Sequence, residues 1–142
     1  MLERTLVIIK PNAVMENNWF SIMKMYEDAG LQIERAEFRV SLPAETVASL
    51  YRENEGKPVY PGLTTFMACG PSIVLCLSGE DAIARVRSLN GATRPEEAAP
   101  GTIRRVYGLF GFTPANAVHG SANAADAERE LALIFPIAWF HP

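Results

Sequence analysis

The sequence predicts an α/β (α+β) sandwich in which helices cover a four-stranded antiparallel sheet. Three observations carry that expectation. Short apolar, β-branched runs alternate with stretches of helical periodicity. Proline and glycine punctuate the joins between them. The resulting order is βαββαβ with helices appended, which right-handed crossovers close into a ferredoxin-like sandwich.

Each element has a local reason. Thr5 to Ile9, TLVII, is a β-branched apolar run and reads as a buried strand. Pro11 ends it, because proline has no N–H for the ladder. Asn17 or Asn18 then caps a helix with Trp19, Ile22, Met23 and Tyr26 at i, i+3, i+4 and i+7. Gly30 closes that helix in the left-handed conformation. Leu31 to Val40 is the second strand, and its alternation changes phase near Glu34-Arg35, where a bulge is expected. Pro43 opens a helix that runs to about Asn54, with Val47, Leu50 and Tyr51 on one side. A short helix ends at Ala68. Ser72 to Ser78 is a central strand, and Ser78 with Asp81 forms a capping box for a helix that stops at Asn90-Gly91. Residues 92–115 read as irregular, and a loop that long in a compact domain is usually functional. A brief strand at Ala117-Val118 follows. The last helix opens at Asn123, with Asp126 in its first turn.

A chain of 142 residues fits one domain, residues 1–142. Hydrophobic residues make up 49% and charged residues 20%, which excludes disorder for most of the chain. The net charge of -3 disfavours a nucleic-acid partner. Cys69 and Cys76 form no CxxC, and with two histidines there is no zinc constellation. They read as two buried, reduced thiols of a cytoplasmic protein. Glu3, Arg4 and Lys10 interrupt the first apolar run, so no secretory segment is expected there. The run Leu131 to Phe140, LALIFPIAWF, is about half of the roughly 20 residues a membrane span needs, and Pro136 breaks it. Its own core or another subunit must cover it, and we expect a neighbouring subunit in a homo-oligomer to cover part.

No GxxxxGK[ST] or GxGxxG phosphate cradle is present. The polar groups able to serve chemistry are scattered through the apolar frame: Lys10, Tyr51, Arg87, Thr93, Arg104, Asn116 and His119. If they converge, the cations and hydrogen-bond donors among them form an anion-binding set, with arginine suited to forked contact with phosphate oxygens. Taken singly, each also reads as a solvated surface group or a hydrogen-bonded loop residue.

Four motifs decide between these readings: ERTLVIIKP at the start, YPGLTTFMACGP in the middle, GAT…PGTIR in the long loop and NAVHGS near the end. In this order and at this spacing, the chain resembles the nucleoside diphosphate kinase family over nearly its whole length. The resemblance implies an enzyme that moves the γ-phosphate of a nucleoside triphosphate to a nucleoside diphosphate through a phosphohistidine, by a ping-pong mechanism. ATP, GTP, ADP, GDP and their deoxy forms are the implied partners, Mg²⁺ the implied cofactor, and a homo-oligomer the implied assembly.

By the same resemblance, His119 matches the nucleophile, Glu130 the carboxylate on its other ring nitrogen, and Ser121 the hydroxyl that supports that carboxylate. Lys10 and Tyr51 match groups that reach the transferred phosphate. Arg87, Thr93 and Arg104 match residues that hold the outer phosphates, and Asn116 one that contacts ribose and phosphate. Leu63 matches a wall of the base site. Glu53 matches an acid that meets Mg²⁺ through water, while the nucleotide's own oxygens hold most of the ion.

Some positions depart from the family. Val59 stands where the family places an aromatic residue against the base, and a stacked base gains roughly 1–3 kcal/mol that a valine does not match. Ala122 replaces the aspartate of HGSDS, and Asn12 the acid of KPD. The loop between Arg104 and Asn116 is about two residues longer and carries Phe110 and Phe112. Either of these rings, or Tyr60, is a candidate to replace the lost stacking; the competing placement is in the core or a subunit contact. An active kinase is the leading expectation. A member with weak or altered activity that mainly binds nucleotide is the second, and a non-catalytic small-ligand regulator the third.

Overall fold

The computed structural model describes residues 1–135. Its strands are β1 (Leu2–Ile9), β2 (Gln32–Arg39), β3 (Ser72–Glu80) and β4 (Val118–Gly120). They form one sheet in the order β2-β3-β1-β4 with every neighbour antiparallel, as the βαββαβ order requires. The helices are α1 (Pro11–Met15), α2 (Trp19–Asp28), α3 (Ala44–Leu50), α4 (Tyr60–Ala68), α5 (Ala82–Asn90), α6 (Ile103–Tyr107) and α7 (Ala124–Ile134).

The apolar run in β1 is continuous because both faces of the sheet are covered. Val7 and Ile9 join Leu75, Leu77, Ile22, Tyr26 and Val86 on one face. Leu6 and Ile8 join Val74, Cys76, Val47, Leu50, Met67 and Leu131 on the other. Period-two alternation assigns each residue to its layer. His119 stands opposite Ile8 across the β1–β4 ladder, on the layer shared by α3, α4 and α7.

Several local expectations hold. The β2 register shifts between Ile33 and Arg35. Gly30 has φ +89°. The Asn123 side chain accepts from the Asp126 N–H and caps α7. Others are corrected. Pro11 leaves the ladder but also opens α1 as a first-turn residue, a helix the sequence reading missed. Neither Asn17 nor Asn18 caps α2 through its side chain; Asn17 has φ +61° and takes the turn between α1 and α2. The Ser78–Asp81 capping box does not form. β3 continues to Glu80 because Gly79 and Glu80 pair with Glu3 and Leu2, so Ser78 is inside the strand. Glu3 Oε1 instead accepts from the Ile83 N–H at 3.2 Å near the start of α5.

The long loop is not structureless. It holds α6 and short 3₁₀ turns at Pro95–Glu97 and Thr113–Ala115. Gly91 begins it at φ +84°, where a Cβ would lie 2.5 Å from Thr102 Oγ1, so only glycine fits. Of the C-terminal apolar run, Leu131, Ile134 and Phe135 are buried in the chain's own core. Residues 136–140 of that run lie outside the described residues. Among the described residues no helix is long and apolar enough to cross a membrane.

Candidate active site

A cleft of about 280 Å³ opens between the end of β1, the α3–α4 segment, the Thr113–Pro114 turn, β4 and α7. Its walls carry Lys10, Tyr51, Arg104, Asn116, His119 and Glu130 together. Six residues spread over 120 positions of sequence thus converge on one cavity.

His119 is the middle residue of β4, and alternation aims it at α3 and α7. Its Nε2 lies 3.0 Å from Glu130 Oε1. Ser121 Oγ donates to the same oxygen at 2.8 Å and accepts from the Leu6 N–H at 3.3 Å. The carboxylate is thereby tied through Ser121 to the central strand. Burial pushes the Glu130 carboxyl up, but the hydrogen bonds and charge from His119, the Ser121 hydroxyl and Arg129 outweigh it, and the net shift is below its ordinary value. A carboxylate can only accept, so the Nε2 proton belongs to this bond and Nδ1 is the nitrogen with the free lone pair. The Tyr51 ring meets the imidazole edge to face at 5.5 Å between centroids.

Lys10 leaves β1 at the point where Pro11 turns the chain, and it is buried. Its Nζ donates to the Pro114 carbonyl at 3.1 Å and lies 5.9 Å from the centre of the Tyr51 ring. Burial, with a smaller push from the Arg104 charge, lowers the ammonium from its ordinary value to about 7. Arg104 donates to the Gly91 and Val118 carbonyls, both at 2.9 Å, and burial lowers it as well. Asn116 donates to the Thr93 carbonyl at 2.8 Å. Ala117, between Asn116 and Val118, holds φ +75°, a left-handed strain of a kind found at functional sites.

Four buried polar atoms here have no protein partner: Tyr51 Oη, Arg104 Nε, Asn116 Oδ1 and Arg129 Nε. The bonds of Lys10 and Arg104 go to backbone carbonyls, which leaves their charge uncompensated. Buried cations and orphaned polar atoms of this kind suit an anionic, polar guest.

The remaining expected residues are placed as follows. Thr93, Val59, Leu63 and Glu53 line the cleft, with Glu53 exposed. Arg87 lies in an adjoining polar hollow with Thr93, Arg104 and Ala122, and donates to the Ala122 carbonyl at 2.8 Å. Ser121 is fully buried and reaches the site through Glu130. Asn12 donates to the Tyr107 carbonyl, away from the cleft. Among the described residues no group of three or more His, Cys, Asp or Glu side chains could hold a metal ion. The donor set therefore fits a metal only if its other ligands come with the guest.

The three rings offered as a stacking replacement lie off the cleft walls. Phe110, Phe112 and Tyr60 do not line the cleft. Phe112 meets Phe66 edge to face at 5.9 Å, and the Arg105 guanidinium lies 5.4 Å from the Phe110 ring centre. Both phenylalanines stay about half exposed, so they are not core either. Sequence reasoning missed Asn54, Thr113, Pro114, Asp126 and Arg129 on the walls. Of these only Arg129 had a visible signal, as the basic neighbour of Glu130.

Comparison with known proteins decides the family. A family model for nucleoside diphosphate kinase matches residues 3–138. The chain belongs to the nucleoside diphosphate kinase family. It is 47% identical over 137 residues to the nucleoside diphosphate kinase of Rhodococcus opacus (strain B4), and 46% identical to that of Rhodococcus jostii (strain RHA1), with 96% of each chain covered in both cases. Solved structures agree. The Aquifex aeolicus nucleoside diphosphate kinase superposes with a TM-score of 0.91 at 33% identity, covering 97% of this chain and 98% of that one. The Halobacterium salinarum enzyme in complex with CDP gives 0.90 at 36% identity, covering 97% and 90%. The Borrelia burgdorferi enzyme, a transition-state mimic with vanadate and ADP, gives 0.89 at 29% identity, covering 96% and 89%. The chain is a nucleotide-dependent kinase of this family, whose members need a divalent metal.

Proposed function

We propose that His119 Nδ1 is the phosphate carrier of a ping-pong reaction across the whole chain, acting as one catalytic domain. In the first half, the Nδ1 lone pair attacks the γ-phosphorus of a nucleoside triphosphate. The N–P bond forms as the bond from phosphorus to the bridging oxygen breaks, and the diphosphate leaves with that electron pair. In the second half, a terminal oxygen of another nucleoside diphosphate attacks the phosphorus of the phosphohistidine; the O–P bond forms as the N–P bond breaks, and its electron pair returns to His119 Nδ1. ATP, GTP, ADP, GDP and the deoxy forms fit the role, since few of the wall residues could read a base.

The observation that carries this reading is the Glu130 contact at His119 Nε2. It fixes the tautomer, leaves Nδ1 bare and faces the positive charge that develops on the ring. Lys10, Arg104 and, from the adjoining hollow, Arg87 neutralise the transferring and leaving oxygens. Tyr51 Oη, Asn116 Oδ1 and Thr93 supply hydrogen bonds that the protein leaves unfilled or solvent-exposed. The Borrelia burgdorferi enzyme with vanadate and ADP supports placing phosphoryl chemistry in this fold. The metal is Mg²⁺ in this reading; held mainly by phosphate oxygens, with Glu53 reached through water, it would shield charge on the phosphates. Leu63 and Val59 form the apolar wall for the base.

We also propose a homo-oligomer in the cytoplasm. β2 is an edge strand, and Phe38 and Val40 near its end are exposed, as are Trp19 and Phe20 on α2. Exposed apolar residues on a sheet edge invite a second copy. Cys76 is buried but Cys69 is exposed, against the expectation of two buried thiols; both are free, which suits a reducing compartment.

The test is direct labelling. With γ-labelled ATP the protein gains an acid-labile, base-stable phosphate that GDP then removes as labelled GTP. His119→Gln loses both while retaining nucleotide binding. Undiminished turnover in His119→Gln would falsify the carrier assignment.

A further inference from the structure

Glu130 has two carboxylate oxygens, and the reaction as proposed uses one. Oε1 takes His119 Nε2 and Ser121 Oγ. Oε2 faces the guanidinium of the preceding residue, with Arg129 Nη2 at 3.8 Å. Arg129 Nη1 donates to the Ser49 carbonyl at 3.1 Å, in the last turn of α3. Its Nε is buried without a hydrogen-bond partner, and the side chain lies on the cleft wall.

We propose that Arg129 is a positioning residue for phosphohistidine formation, joining Glu130 to the helix end that carries Tyr51. This rests on the His119 carrier reading above. Two physical effects follow from the geometry. The first is orientation. Oε1 alone would leave the carboxylate free to pivot about its bonds to His119 and Ser121. A cation at Oε2 biases that pivot, and with it the imidazole plane. The second is spacing. The Ser49 carbonyl takes a capping backbone N–H, and its second lone pair accepts from Arg129. Arg129 therefore ties α7 to α3 at Ser49, two residues before Tyr51, whose ring packs on His119. One side chain thus touches the orienting carboxylate and the segment that holds the opposite wall.

Charge adds to geometry. The titratable and charged groups facing Glu130 are His119 on β4, Arg129 on α7 itself, and Tyr51 just after α3, whose hydroxyl is held protonated by burial and then by the Glu130 charge. Ser121 and the β1 backbone contribute no charge. Arg129 is the one permanent cation in this set, so it helps keep Glu130 ionised when the site is closed to water.

The experiment compares wild type, Arg129→Met and Arg129→Lys in single-turnover labelling with γ-labelled ATP from pH 5 to 9, alongside ADP binding and thermal unfolding. Arg129→Met keeps the stem but loses the charge and the Ser49 bond. We expect its labelling rate to fall about 10-fold at pH 7.5, with ADP affinity changed less than 2-fold, and the acid limb of the pH profile to move to higher pH. Arg129→Lys, which restores a cation near Oε2, should return the acid limb to the wild-type position and recover part of the rate. An Arg129→Met profile that superposes on wild type overturns the proposal. So does a loss of rate matched by an equal loss of ADP affinity, or a loss that Arg129→Lys does not relieve, since either marks general damage. If wild type itself acquires no label on His119, the carrier reading fails and this proposal falls with it. If wild type labels and Arg129→Met labels equally well, only the role of Arg129 fails.

Discussion

The two ends of the cleft are built on different principles. At the His119 end, Lys10, Asn116, Ser121 and Glu130 are buried, and every protein bond they make is directional. At the Val59 end, the wall is a half-buried valine and a buried leucine, with the exposed Glu53 beside them. The first end holds its groups by desolvation and hydrogen bonding. Removing one partner there strands another in a dry site, at about 1–3 kcal/mol and more for a charge. The second end offers only contact area, which scales smoothly with side-chain size. On the proposed roles, chemistry is therefore brittle and base contact tunable.

Breaking the brittle end gives the largest effects. Beyond the loss of turnover expected in His119→Gln, Glu130→Gln removes the charge proposed to face the developing imidazolium but keeps the shape. We expect kcat to fall roughly 10- to 1000-fold, with nucleotide affinity nearly unchanged. Steady-state kinetics paired with calorimetric titration of ADP separates the two quantities. An equal loss in both would mean that Glu130 serves nucleotide binding instead.

Lys10 gives a pH-dependent form of the same contrast. In the folded protein without a bound anion, burial brings its ammonium to about 7, against 10.5 for the unperturbed group. Between those values the unfolded chain binds more protons than the folded one. Stability from this group therefore rises with pH across the window, and the cost of the buried charge is fully present below about 7. A bound triphosphate favours the charged form, so binding takes up a proton in the same window and weakens as pH rises. Lys10→Met should abolish both slopes. Denaturant unfolding and binding of an ATP analogue with a non-transferable γ-phosphate, each from pH 6.5 to 9.5, should show a wild-type dependence absent from the variant. Parallel curves for the two proteins would remove Lys10 as their source.

The sheet order and the β2 bulge were legible in the sequence because alternation and turn residues are local signals with fixed periods. The Ser78–Asp81 cap was misread for a non-local reason. β3 is extended by pairing with Leu2 and Glu3, which no window around Ser78 contains. α1 was missed because Pro11 sends two messages at once, ending a strand and opening a helix. Among site residues, Lys10, Arg104 and His119 stood out as polar groups in an apolar frame, but their convergence and the place of Glu130 came from motif resemblance; spacing alone would not have gathered them. The Pro114 carbonyl that holds Lys10 carries no residue-type signal, since any residue offers one. The placement of Phe110 and Phe112 was not legible, because ring identity says nothing of direction. Phe66 and Arg105, close partners in space, decide where those rings lie.

The smallest effect belongs to the tunable end, and it sharpens the contrast most. Val59 immediately precedes α4 and lines the cleft beside Leu63. Phe110, Phe112 and Tyr60 do not line that cleft, so on the proposed base wall no other ring stands in for the family's aromatic residue. Val59→Phe should then tighten ADP binding by about 1 kcal/mol, close to the lower bound for a ring stacked on a base. The gain should appear in binding and leave the rate of His119 labelling at saturating nucleotide unchanged, because the Glu130–His119–Ser121 hydrogen bonds do not involve residue 59. Phe110→Ala and Phe112→Ala should leave ADP affinity as it is, with Phe112→Ala costing some thermal stability through its lost contact with Phe66. Calorimetric titration of the three variants checks the set. Weaker binding in either alanine variant would show that a loop ring reaches the base after all. Unchanged binding in Val59→Phe would mean that the wall at residue 59 does not meet the base, and the apolar end would have to be reassigned to Leu63 and the Thr113–Pro114 turn.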